Sequence, residues 1–247
     1  MKCILLCAGY SMDENLQIRE TAKSLTMISG KPLVNYTIEA LDNIAIIDEI
    51  YLVTNGVYYD KFIEWYNTYT FTTKVKVIND NTTSAEAKLG AIGDIQYTIN
   101  VEGIEDDIFV LAGDVYFDFS LEKMVNYYVD KKEPVVAGMY TEDTGLLSKF
   151  GVIEEINSII VRMQEKPVEP KGNILSLAAY IFPKDVLRVI NEYLSEGYQR
   201  TYPGYFLEYL YRMRPVYVHK VACINYDINN RQAIEKLEQK LASLFDK

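Results

Sequence analysis

Short buried runs alternate along this chain with stretches of helical spacing. The first run, Cys3-Ile4-Leu5-Leu6, closes on Ala8-Gly9. A run so short, ended by small residues, predicts a buried central strand leading into a loop. Gly9 suits either a close approach of the backbone to a ligand or a φ that other residues avoid. Residues 10–22 then carry polar and charged groups without strand or helical period. That is well beyond the roughly 2–6 residues of an ordinary strand-to-helix loop. Open α/β sheets bind ligands at such loops, beyond the carboxyl ends of their strands. Past the Gly30-Lys31-Pro32 turn, Leu33, Thr37, Ala40, Leu41 and Ile44 recur at helical spacing, and Pro32 suits the first turn.

The same rhythm predicts a strand over 49–55, a helix over 58–69 and a third strand over 74–78. After the polar stretch 79–84, Leu89, Ile92, Ile95 and Ile99 mark a helix for which Ser84 is a candidate cap. Residues 107–112 read as a strand ending in Gly113-Asp114, and Asp118 reads as a cap before Ser120-Leu121. A strand over 134–139 follows. From Leu147 the pattern shortens: 150–154 and 159–163 alternate around Asn157-Ser158, as in a β-hairpin. A strand over 175–183, helices near 184–195 and 203–213, strands from Val216 and up to Ile228, and an amphipathic helix over 233–245 complete the chain.

Strand–helix alternation in the first half implies a doubly wound parallel sheet. The expected fold class is therefore α/β: a Rossmann-like mixed, mainly parallel sheet with flanking helices and a smaller antiparallel lobe. No linker, repeat or low-complexity tract divides the chain. Residues 1–247 read as one domain, with a parallel half over about 1–140, the lobe over about 141–228 and a terminal helix over about 229–247.

Composition, 49% hydrophobic and 24% charged, is that of a globular protein. A net charge of −10 argues against a nucleic-acid partner. No segment approaches the ~18 apolar residues of a membrane span, and no secretory signal precedes the first strand. The expectation is a cytoplasmic protein without a membrane partner. Cys3 and Cys7 share a strand face but stand about 13 Å apart at ~3.3 Å per residue. A disulfide needs Cα atoms within about 7 Å, so both are expected to be reduced core residues. His219 is the one histidine and C-x-x-C is absent, which argues against a transition-metal site. Neither G-x-G-x-x-G nor a P-loop occurs.

The chemistry-bearing residues come in a definite order. Leu6-Cys7-Ala8-Gly9-Tyr10-Ser11-Met12-Asp13 is followed by Ala22-Lys23, Gly30-Lys31-Pro32, Gly113-Asp114, Glu165-Lys166-Pro167 and Tyr226-Asp227-Ile228. In this order and spacing the chain resembles the sugar-phosphate nucleotidylyltransferases. Their pattern is L-A-A-G-x-G-T-R, P-K, G-K-P, G-D, E-K-P and W/Y-x-D-I-G-T. The resemblance covers nearly the whole chain. The departures are Met12 for Thr, Asp13 for Arg, Ala22 for Pro, Ala178 for Gly, and Asn229-Asn230 for Gly-Thr.

The resemblance implies Mg²⁺-dependent transfer of a nucleotidyl group from an NTP to a sugar 1-phosphate, with release of pyrophosphate. It assigns catalytic charge neutralisation to Lys23 and Lys166, and Mg²⁺ to Asp114 and Asp227. Backbone at Leu6, Ala8, Gly9 and Tyr10 would cradle the nucleotide, with Asn79 on the base edge and Gly90 allowing close approach. Glu165 would accept from sugar hydroxyls and Lys166 would meet the phosphate. Taken alone, a Gly-Asp pair at a strand end is more often a turn than a ligand, although Mg²⁺ is content with one or two carboxylates plus phosphate oxygens.

Two alternatives stand beside this reading. Asp13 puts a negative charge where the family has the Arg that holds the triphosphate. Two like charges ~4 Å apart at an effective dielectric near 20 repel by about 4 kcal/mol. Arg19 is a candidate to supply the missing guanidinium. A catalytically impaired relative that binds an NDP-sugar or CDP-alcohol is thus one alternative. The other is a cytidylyltransferase for a phospho-alcohol such as phosphocholine, a branch that shares the Asn79-Asp80 opening. The expected partners are an NTP and a sugar phosphate or phospho-alcohol; a homo-oligomer is left open.

Overall fold

The strand that opens the chain lies inside its sheet, third from one edge. The computed structural model describes residues 1–10, 20–223, 226–227 and 231–245, with backbone alone at 226–227, 231–233 and 244–245. Asp13 and Arg19, with Met12, Asn229 and Asn230, lie outside the described residues. In chain order, β1 (Lys2–Leu6) is followed by a small hairpin, β2 (Met27–Ile28) and β3 (Lys31–Pro32), and by α1 (Leu33–Leu41). Next come β4 (Glu49–Thr54), α2 (Tyr59–Thr68), β5 (Lys74–Asn79), α3 (Ala91–Glu102) and β6 (Ile108–Ala112). β7 (Val115–Tyr116), α4 (Leu121–Lys131), β8 (Val135–Tyr140) and the single turn α5 (Thr144–Leu147) lead to β9 (Gly151–Ile156) and β10 (Ile159–Glu165). The chain continues through β11 (Ile174–Phe182), α6 (Val186–Ser195), α7 (Pro203–Leu210), β12 (Tyr217–Lys220), β13 (Tyr226–Asp227) and α8 (Arg231–Phe245).

Among the described residues nine strands join in the order β5-β4-β1-β6-β11-β8-β12-β10-β9. The first four are parallel; the continuous apolar runs of β1, β4 and β6 suit strands buried on both faces, while β5 alternates at the sheet edge. β11 enters antiparallel between β6 and β8, and only β8–β12 is parallel beyond it. The antiparallel lobe is therefore an extension of the same sheet, and β8 belongs to it. Its hairpin turns at Asn157 and Ser158, both left-handed at φ +54° and +64°, as a tight two-residue turn demands.

Alternate residues of β1 feed two cores. Cys3 and Leu5 pack with α1, α2 and α4 on one face; Ile4 packs with α3, α6 and α7 on the other. A third cluster joins Leu237 and Leu241 of α8 to Ile28 and Leu33. All three cysteines are unbridged, with Cys3 and Cys7 buried on the same side of the sheet. Among the described residues no helix is long and apolar enough to cross a membrane.

Two expected caps are corrected. Gly90, at φ +78°, precedes α3, and Leu89 lies before the helix; Ser84 instead accepts from the Ala87 amide in its own turn. Ser120 caps α4 by accepting from the Lys123 amide, while Asp118 pairs with Lys240 of α8 at 3.3 Å.

Candidate active site

The carboxyl ends of β1, β4, β5 and β6 converge. The Gly113 amide donates to the Leu6 carbonyl at 3.0 Å, and the Cys7 amide to Val53 at 2.8 Å. Of the backbone expected to cradle a nucleotide, the Leu6 carbonyl is therefore used by the sheet, as is the neighbouring Cys7 N–H. Asn55, fully buried, donates to the Ala8 carbonyl at 3.0 Å and accepts from the amides of Val57 and Tyr58. Gly9 is not in the left-handed region, and a β-carbon there would meet nothing within 4 Å. Of its two sequence rationales, the unusual φ falls away and open space above the backbone remains.

Gly113 has a steric reason. A β-carbon there would run into the Cys7 sulfur and sit 3.2 Å from Ser24 Oγ. Ser24 is buried and hydrogen-bonds the Cys7 thiol, so the Lys23–Leu25 turn is docked against the start of the Gly113-Asp114 step. Burial pushes the Cys7 thiol up to about 12, and the Asp114 charge adds to it, so Cys7 packs as a thiol. Beyond Asp114, β7 pairs with β13, with Asp227 opposite Val115. The backbone thus carries Asp227 to the neighbourhood of Asp114.

One cleft of about 1170 Å³ gathers Lys23, Asp114, Glu165 and Lys166 along its lining. Four expected site residues, drawn from three separate parts of the sequence, therefore face one space. Aromatic side chains form much of the remaining wall: Tyr116, Phe117, Phe119, Phe150, Tyr180 and Tyr202. Ala178 lines it too, within the stretch where the β11–β8 register shifts. Lys166 is left-handed at φ +47°, and its ammonium lies 3.4 Å from the centre of the Tyr202 ring. Burial and the nearby Glu208 charge raise the Glu165 carboxyl to about 7 against the opposing pull of Lys166. Glu208 also accepts from the Glu165 amide at 2.6 Å, clamping β10 to α7. A β-carbon at Gly204 would collide with the Glu165 carboxylate, so α7 needs glycine there to admit that group to the cleft.

The other expected nucleotide residues lie outside this cleft lining, at the ends of β1 and β5 and just before α3. The Tyr10 phenol and the Thr82 hydroxyl are 3.0 Å apart. Asn79 Oδ1 accepts from the Asn81 amide at 2.8 Å, so the acceptor half of its side chain is engaged in its own turn. A β-carbon on Gly90 would come within 2.6 Å of the Arg200 carbonyl. Close approach does require Gly90, and the chain's own backbone is what approaches. Sequence reading passed over Asn55, Asp80, Thr82, Asp94, Tyr202, Gly204 and Glu208. Asp94 had a signal: an acid between Ile92 and Ile95, on the apolar face of α3.

The family model for nucleotidyl transferases matches residues 18–219. The chain belongs to the nucleotidyl transferase family. The match takes in Lys23, Asp114, Glu165 and Lys166, and leaves Asp13 and Asp227 outside its limits. Relatives within it include a Sulfolobus acidocaldarius protein provisionally named mannose-1-phosphate guanyltransferase. It is 27% identical over 196 residues, covering 77% of this chain and 51% of that protein. The bifunctional protein GlmU of Methanocaldococcus jannaschii is 25% identical over 194 residues, covering 78% of this chain and 42% of GlmU. This chain thus spans about half or less of the length of these relatives. The fold is shared with an apo UDP-glucose pyrophosphorylase at a TM-score of 0.79 and 16% identity, over 98% of both chains.

Proposed function

We propose that the protein joins a sugar 1-phosphate to an NTP, releasing pyrophosphate. The observation that carries this reading is the single cleft lined by Lys23, Asp114, Glu165 and Lys166. An oxygen of the acceptor phosphate forms a bond to the α-phosphorus as the bond to the pyrophosphate oxygen breaks. Such a transfer asks the protein chiefly for alignment and charge neutralisation. Lys23 offsets charge on the triphosphate side and Lys166 on the acceptor phosphate. Glu165, in its carboxylate form, accepts from sugar hydroxyls. Asp114 and Asp227 would hold Mg²⁺, which supplies charge neutralisation at the phosphates when bound. Their oxygen donors suit a hard cation. Pyrophosphate release screened over four NTPs and a panel of sugar 1-phosphates tests the reading; no release with any pair overturns it.

The aromatic wall supports a second reading for the acceptor. A quaternary ammonium phospho-alcohol such as phosphocholine would find Tyr116, Tyr180 and Tyr202 rings for its cation. Including phosphocholine with CTP in the same screen separates the two.

Lys166→Ala is expected to weaken binding of the phosphate monoester by roughly 10- to 100-fold, the worth of a charge-assisted hydrogen bond. NTP affinity should change less than about threefold. Calorimetry with each ligand checks this, and equal losses for both would remove Lys166 from the acceptor side.

The Asp13 position yields a further expected outcome. Asp13→Arg should tighten NTP·Mg²⁺ binding by roughly five- to thirty-fold, through loss of a repulsion and gain of a forked donor. Binding of an NDP-sugar, which has no γ-phosphate, should shift less. Titration of wild type and variant at fixed salt and magnesium decides it. A wild type that already binds NTP tightly and turns over would mean that Arg19 or another group has taken the role.

A further inference from the structure

At the base of the nucleotide side lies a buried acid pair that the chemistry above leaves unused. Asp80, just past β5, and Asp94, on α3, are 5% and 6% exposed, and their carboxyl groups stand within hydrogen-bonding reach of each other. Asp80 Oδ1 accepts from the Thr82 amide at 2.7 Å and from the Thr82 hydroxyl at 2.8 Å. With its hydrogen committed to Asp80, the Thr82 oxygen accepts from the Tyr10 phenol. Asp94 Oδ1 is buried and finds no donor among the described residues. Two carboxyl groups facing each other out of water do not both ionise; one proton between them satisfies both.

We infer that Asp94 is a positioning residue, whose carboxyl hydrogen holds Asp80 and, through Thr82, the Tyr10 phenol, so that the loops after β1 and β5 form one nucleotide-binding wall. The part this wall plays rests on the nucleotidyl-transfer reading, because Tyr10 and Asn79 are the residues it would present. The pair itself does not. Loss of the shared proton sets two buried negative charges against each other, drives Asp80 from Asp94 and frees the loop after β5.

The groups facing Asp94 define when this happens. Burial raises the Asp94 carboxyl most, the Asp80 charge adds to it, and Arg200, from the segment between α6 and α7, opposes both; the result is about 8. Burial also raises Asp80, with Thr82 and Asp94 hydrogen bonds pulling the other way. Tyr10 is raised by burial and stays neutral through this range, with Tyr58 beside it. The folded value lies far above the ~3.9 of an unfolded Asp. The contribution to stability is therefore full below about pH 4 and is lost as pH rises toward about 8.

The experiment uses the full chain, Asp94→Asn and Asp80→Asn. Each variant puts an amide donor between the two side chains at every pH. Thermal melts run from pH 5 to 9, and titrations with the Mg²⁺ complexes of ATP, GTP, CTP and UTP from pH 6 to 9.5. For wild type the melting temperature should fall between pH 5 and 8 more steeply than for either variant. NTP affinity should drop above about pH 8 by up to tenfold per pH unit, with a flat profile for Asp94→Asn and a shallower one for Asp80→Asn, in which Asp94 is still buried. Parallel melting profiles in all three proteins would overturn the shared proton. Steeper wild-type melting with an unchanged affinity profile would overturn the link to the nucleotide wall. Absence of NTP binding at any pH would refute the nucleotide reading and the wall with it, while the melts still decide the pair.

Discussion

Asp114→Asn is expected to lower kcat/KM by about 10²–10³-fold while leaving the fold intact. The substitution keeps size and shape but removes the negative charge that a hard divalent cation requires. Asp114 is half-buried at the mouth of the Gly113 turn, lining the cleft that Lys23, Glu165 and Lys166 also line. Losing one carboxylate from a site with at most one other leaves substrate oxygens to do most of the holding. Apparent magnesium affinity should fall together with rate, so higher Mg²⁺ should restore part of the loss in the variant and little in wild type. Melting within about 2 °C of wild type is expected, because a half-buried isosteric change away from the core costs little. Initial rates across a magnesium series, with melts of the same samples, check this. A variant that keeps a third or more of its rate at every Mg²⁺ concentration would remove Asp114 from the chemistry.

How far the sequence foretold this arrangement depended on the kind of signal. The parallel block was legible because residues 3–6, 50–53 and 108–111 are continuous apolar runs between helical stretches, a pattern that burial on both faces imposes. The hairpin at Asn157-Ser158 was legible because its turn needs residues that tolerate left-handed backbone. The insertion of β11 between β6 and β8 was not, since an apolar run carries no information about its neighbour. The same limit hid Glu208, whose bond to the Glu165 amide spans 43 residues and exists because α7 lies on β10.

The site divided in the same way. Lys23, Asp114, Glu165 and Lys166 were read from local motifs at the ends of elements, and the fold brings all four to one cleft. Caps were harder. Ser84 looked suitable by residue type, yet α3 begins at Gly90, where contact with the Arg200 carbonyl dictates the start. A cap read from one residue is overruled by whatever the first turn packs against. The sheet likewise continues one residue past the apolar run and uses the Cys7 N–H.

Gly113→Ala should destabilise the protein by about 2–3 kcal/mol, the range for an overpacked core, and should reduce activity beyond what the lost stability explains. Gly113 is buried and its φ is not in the left-handed region, so the cost is one of space and not of backbone strain. The new methyl would overlap the Cys7 sulfur and press on Ser24 Oγ and the Leu6 carbonyl, at 3.2 and 3.3 Å. These atoms belong to the ends of β1 and of the Lys23–Leu25 turn. Relief of the overlap therefore parts β1 from β6, at the hydrogen bond from the Gly113 amide to the Leu6 carbonyl, and shifts Lys23 relative to Asp114. Cys7→Ala removes the principal obstacle. The double variant should regain about 1 kcal/mol or more over Gly113→Ala, even though Cys7→Ala alone loses some buried contact; such a positive coupling is the mark of residues that touch. Urea unfolding of the four proteins closes the cycle, and initial rates on the same set show whether the site returns with the packing. If the double variant is no more stable than Gly113→Ala, the collision lies with the Leu6 carbonyl instead, and no side-chain truncation will rescue it.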